Sequence, residues 1–217
     1  MAGALCAVLV AALVAVAVRV PPAFTSLADC ARILPAAEFA RVPGTEGLEL
    51  STVQTEYENR EIPAKALAAQ YCTTGEGGEA TALSIRIALY SPELRGDRYA
   101  VLREHIAASR PETDGEGRGS TTITSSTAGS SGTEEHEADL VATDLPDIGD
   151  GGWTASYTAP DALGMEDWSA GHFSVRNVIV HVQYRGTPGM DPGERGEALR
   201  PVLETAAAAI SEHFPEE

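Results

Sequence analysis

Residues 81–90 read TALSIRIALY, a stretch in which Leu83, Ile85, Ile87 and Leu89 alternate with Ala82, Ser84, Arg86 and Ala88. Successive side chains of an extended chain point to opposite faces, so this period of two predicts a strand with one face buried. Residues 173–184 form a second strong run, with Val175, Val178, Ile179, Val180 and Val182. Its centre, 178–180, is apolar on both sides and predicts an internal strand covered on two faces.

Weaker extended segments flank these two at 48–58, 66–73, 138–145 and 152–159, and Gly75, Gly77 and Gly78 mark a turn before the first. Three segments carry helical spacing instead. Residues 27–42 place Ile33, Leu34, Phe39 and Val42 on one side, with Asp29 as a cap and Pro43-Gly44 as a stop. Residues 93–109 do the same with Leu94, Tyr99, Leu102 and Ile106, and residues 195–213 with Leu199, Val202, Leu203, Ala206 and Ile210. Pro201 falls near the first turns of the last helix or bends it. Between 111 and 136 the chain is rich in Gly, Ser, Thr, Asp and Glu, and reads as a flexible insert. The expectation is one α+β domain over 27–217: a mostly antiparallel sheet of about five to six strands, with helices covering one face.

Ahead of it, residues 2–18 are all apolar or glycine, ending at Arg19, Val20, Pro21 and Pro22. A helix of that length spans about 25 Å, slightly less than the ~30 Å hydrocarbon core. Residues 1–20 therefore read as a signal peptide, with a small-x-small cleavage site at Ala15, Val16 and Ala17, or as an uncleaved transmembrane anchor. The basic n-region of a signal peptide is missing, and Arg19 lies on the wrong flank for an anchor with its body outside. Leu27, Ala28, Asp29 and Cys30 imitate a lipoprotein signal, but Asp29 stands where a small residue belongs.

Of the three cysteines, Cys6 lies in the leader, which leaves Cys30 and Cys72. After an export signal, two cysteines most simply pair with each other. The bridge would tie the first helix to an early strand; two buried thiols are the other reading, and no metal or redox spacing is present.

The stretch Asp29-Cys-Ala-Arg-Ile-Leu-Pro35, the Asp150-Gly-Gly-Trp153 turn, and the Arg176-Asn-Val-Ile-Val180 segment followed by an Ala-rich terminal helix resemble small actinobacterial secreted and lipoprotein families of unknown function. That resemblance implies a PsbP-like α/β sandwich, a sheet covered by helices, and an envelope address. It carries over no catalytic residue.

Fifteen Lys and Arg face thirty-two Asp and Glu, for a formal net charge of −17. Nucleic-acid binding relies on Lys and Arg displacing counterions, so nucleic acid is excluded as a partner. Asp144, Asp147 and Asp150 offer oxygen ligands on a turn-rich segment, a weak calcium candidate whose spacing is not that of an EF-hand. Glu134, Glu135, His136, Glu137 and Asp139 are weaker still as a transition-metal set. Neither a Gly-x-Ser-x-Gly elbow nor a papain-like cysteine setting occurs, so no catalytic residue is assigned and no cofactor is implied. Trp153, Tyr157, Trp168 and Phe173 cluster in the latter half as a possible ligand pocket, with core packing as the ordinary alternative. The sequence thus points to an exported or membrane-anchored envelope protein whose non-catalytic domain binds a protein, lipid or small ligand. A secreted hydrolase with dispersed residues is the alternative.

Overall fold

The computed structural model describes residues 21–55, 66–74, 82–91, 93, 99–126, 133–158, 167–187 and 189–216. The leader, the glycine turn at 75–78 and most of the stretch opening the second predicted helix lie outside the described residues. Among those described, no helix is long and apolar enough to cross a membrane.

Among the described residues eight strands make one sheet: β1 (Ser51–Thr55), β2 (Ala66–Thr73), β3 (Leu83–Tyr90), β4 (Arg118–Ser126), β5 (Thr133–Leu145), β6 (Gly152–Thr158), β7 (Trp168–Val175) and β8 (Val178–Tyr184). Their order is β1-β2-β3-β8-β7-β6-β5-β4, and every pairing is antiparallel. The chain lays down three strands, crosses to the far edge through a helix, and returns strand by strand until β8 pairs with β3. Beside the sheet lie α1 (Cys30–Ile33), α2 (Ala36–Phe39), α3 (Ala100–Ala108) and α4 (Pro192–His213).

Alternation on β3 decides the layering. Leu83, Ile85, Ile87 and Leu89 face one core with Val178, Val180 and Val182 of β8, and Leu199, Val202, Leu203, Ala206 and Ile210 of α4 close it. Ala88 and Tyr90 face the opposite way, joining Leu102 and Ile106 of α3, Trp153 and Tyr157 of β6, and Ile179. Helices therefore cover both faces, not the single face expected, and the sheet is larger than the predicted five to six strands.

Three local expectations change with it. The single strand over 173–184 is a hairpin, β7 and β8, turning at Arg176 and Asn177 with Arg176 at φ 52°. Asn177, fully buried, holds that turn: its side chain accepts from Phe24 N and donates to the Phe24 and Tyr90 carbonyls. The helix over 27–42 divides into α1 and α2, because Pro35 lacks an N–H and forces the preceding Leu34 into extended backbone (φ −132°, ψ 94°). Finally, the stretch 111–136 read as a flexible insert contains β4 and the start of β5. Its threonines favour extended backbone, and an edge strand can pair without contributing large apolar side chains.

Cys30, opening α1, is bridged to Cys72 of β2, with their Cα atoms 5.5 Å apart. The bridge pins the short helical segment against the sheet across 42 residues of sequence separation.

Candidate functional site

Two places on the sheet bring together side chains with chemical potential, one on each face. On the α3 face, a cross-strand row runs Arg86, His181, His172, Trp153, Asp144 through β3, β8, β7, β6 and β5. His105 of α3 stands over it, its ring 6.0 Å from that of His172, while the His172 and His181 rings are 5.4 Å apart. Burial pushes His172 down to about 3, helped by the charges His181, His105 and Arg86 would carry; burial and then Arg86 push His181 down to about 4. Both imidazoles are neutral at ordinary pH.

His172 Nδ1 lies 3.0 Å from Ser109 Oγ, a pair that invites comparison with a hydrolase. The hydroxyl, however, donates to the Ile106 carbonyl at 2.9 Å. We therefore assign the Nδ1 proton to His172, which donates to the serine and does not take its proton. Among the described residues no carboxylate is hydrogen-bonded to the ring. A base that ionises near pH 3 is poorly matched to neutral-pH catalysis. Trp153 seals the same layer, its indole N–H donating to the Ile106 carbonyl at 2.9 Å and its ring packing edge-on against His172. This is the fastening of α3 to the sheet.

The opposite face holds a groove of about 560 Å³ between α4 and the outer strands. Val141, Thr143 and Leu145 of β5, with Thr154 and Ser156 of β6, make its floor; Gly196, Glu197, Arg200, Pro201 and Glu204 make its wall. Its position follows from how α4 packs. The helix sits tightly over β7, where Gly171 leaves only enough room for Leu203: a Cβ at 171 would lie 2.7 Å from that side chain. Gly196 likewise lets the helix approach Ser156, which bonds Ser169 at 2.7 Å. Beyond that line β5 extends out from under the helix, leaving Val141 37% exposed on the floor. At the start of α4 a buried Arg195 donates to the Tyr157 and Met190 carbonyls and pairs with Asp167 at 3.0 Å, fixing the wall to the end of β6.

The residues singled out from sequence are placed differently. Trp153, Tyr157 and Trp168 lie on the α3 side, the last two stacked with centroids 3.8 Å apart, whereas Phe173 is buried in the α4 core. The sheet separates them, because Phe173 sits an odd number of positions from Trp168, so they form no common pocket. Asp144 pairs with Arg110, Asp147 with Arg200, and Asp150 accepts the Arg176 N–H, so the three carboxylates serve different contacts. No group of three or more His, Cys, Asp or Glu able to hold a metal occurs among the described residues.

No family model and no curated protein matches the chain. Among solved structures, the extracellular domain of PknH from Mycobacterium tuberculosis is similar at 13% identity and a TM-score of 0.49, covering 85% of this chain and 99% of that one. A likeness so remote transfers neither ligand nor role.

The groove itself went unnoticed in the sequence. Its signals were the alternation Val141, Thr143, Leu145 and the Gly and Pro residues spaced along one flank of a helix otherwise rich in Ala. Small residues on a helix flank are informative only once the neighbouring strand is known.

Proposed function

We propose that this chain is an extracytoplasmic binding domain, delivered by its N-terminal apolar segment, and that the groove beside α4 receives its ligand. The observation that carries the reading is the groove: its volume suits a small ligand or a short peptide segment, and its floor mixes apolar surface with hydroxyl groups able to orient a guest. A disulfide in the body supports an oxidising compartment, and the likeness to actinobacterial envelope families points the same way. The hydrolase alternative loses its best candidate, since the Ser109 hydroxyl and the His172 proton are both committed to structural bonds.

Two measurements test it. Mass spectrometry of native protein should find an N-terminus near Val18, or intact leader in the membrane fraction; soluble intracellular material beginning at Met1 would contradict export. In heteronuclear NMR, a soluble envelope extract should move the amides of Thr143, Ser156 and Gly196, and Thr143→Trp, which fills the groove from an exposed floor position, should abolish those shifts. Shifts confined to the α3 face, or none, would sink the groove as the site.

A further inference from the structure

The groove's surroundings are predominantly acidic, and three features of its helical wall contribute. Pro201 is inside α4 and has no N–H, so the carbonyl of Glu197, four residues earlier, lacks its helical donor. Pro201 lines the groove, so that orphan acceptor lies on the groove flank of the helix. The wall's cation is already engaged: Arg200 donates to Asp147 at 2.6 Å and to Glu204 at 2.8 Å. Glu197, exposed on the same wall, has no cation partner among the described residues.

The floor continues this pattern beyond the helix. On β5, Glu137 and Asp139 share a face with Val141 and Thr143 because side chains alternate, and both are exposed. Two influences oppose it: Arg118 of β4, exposed and directly opposite Val141 on the same face, and the positive end of the α4 dipole near Pro192, which Asp191, the N-cap, and Glu194 in the first turn counter; Glu137, Asp139 and Glu197 outnumber the one cation. Carboxylates on a strand recur every two residues, about 6.8 Å apart, which is also the interval at which an extended peptide presents alternate side chains.

We propose that the groove takes an extended, positively charged peptide segment of a partner protein, its Lys or Arg side chains meeting Glu137, Asp139 and Glu197. This inference rests on the groove being the binding site. Backbone N–H groups of the guest would meet the Glu197 carbonyl and the floor hydroxyls, and its charged side chains would select it.

The test titrates the full-length chain, kept in nonionic detergent, with three synthetic hexapeptides: KSKSKS, SSSSSS and ESESES. KSKSKS should move the amides of Val141, Thr143, Ser156 and Gly196, weakening as salt is raised. Glu197→Gln and Asp139→Asn should each lower its affinity about three- to fivefold, and Thr143→Trp should eliminate binding. Equal binding of SSSSSS at the same amides would overturn charge selection while leaving the groove as the site. KSKSKS binding that survives Thr143→Trp would be diffuse attraction to an acidic surface and would overturn both readings. If no peptide binds, the peptide inference falls, and the extract titration alone decides the groove.

Discussion

At Asn177 a fully buried carboxamide accepts from Phe24 N at 2.8 Å and donates to the Phe24 and Tyr90 carbonyls at 3.0 and 2.9 Å. Truncation would leave three buried backbone groups unsatisfied, each costing about 1–3 kcal/mol in the worst case. Asn177→Ala should therefore lower unfolding free energy by about 3 kcal/mol in urea titration, and a change under about 0.5 kcal/mol would show that water replaces the amide. His172 gives a different kind of dependence. Its unfolded imidazole takes a proton near 6.5 and its folded one only near 3, so in that window the unfolded state binds more protons. Stability is full above pH 6.5 and falls as pH drops, by at most about 1.4 kcal/mol per unit for this residue. Between pH 7 and 5 the wild type should lose about 2 kcal/mol more than His172→Gln, and equal losses would remove His172 as the cause.

Elements tell which parts of the fold were readable. β2 and β3 were legible almost residue for residue, because β3 alternates apolar and smaller or polar side chains and the sequence between the two strands holds Gly75, Gly77 and Gly78. β8 was merged with β7, since an Arg-Asn turn lacks the glycine that usually marks a two-residue hairpin; what makes it a turn is the distant Phe24 and Tyr90 backbone that Asn177 binds. β4 was invisible, because an edge strand of Thr and Ser has neither apolar alternation nor a second partner. The disulfide acts at this scale too. Closing a loop across 42 residues contributes on the order of 4 kcal/mol in the chain-entropy picture. Cys30→Ala/Cys72→Ala should lower stability by about that amount, and an unchanged denaturation midpoint would mean that the contacts of α1 suffice alone. β6 begins at Gly152, where a Cβ would lie 2.5 Å from the His172 carbonyl oxygen and 2.7 Å from Phe173 Cβ. Neither neighbour is the end of a flexible side chain. Gly152→Ala should cost more than about 2 kcal/mol by thermal denaturation, and a neutral result would show that β6 and β7 can separate locally.

Across the whole molecule, charge and layering were readable to different depths. A net charge of −17 follows from composition and made nucleic acid a poor expectation as a partner. How that charge is arranged did not follow: the three aspartates proposed for calcium are divided among Arg110, Arg200 and the Arg176 backbone, pairings that require the β5–β6 connection to meet α3, α4 and the β7–β8 turn. The groove depended on the same long-range information, since it exists only because α4 lies over β7 and β6 and leaves β5 uncovered. Self-repulsion among so many carboxylates predicts that raising ionic strength from about 0.01 to 0.3 M, which shortens the screening length several-fold, will raise Tm. A fall in Tm over that range would mean that the ion pairs outweigh the repulsion.

Phe24 forms an isolated antiparallel bridge with Glu216, Thr25 N donates to the Pro215 carbonyl, and Phe24 and Phe214 meet edge to face. The ends of the described residues, 21 and 216, thus lie side by side at one pole, and the fold between them can be spliced into a host loop as a cassette without stretching either junction. A reporter joined after Glu216 would therefore sit beside Phe24, at the end of α4 opposite Pro192, which lines the groove.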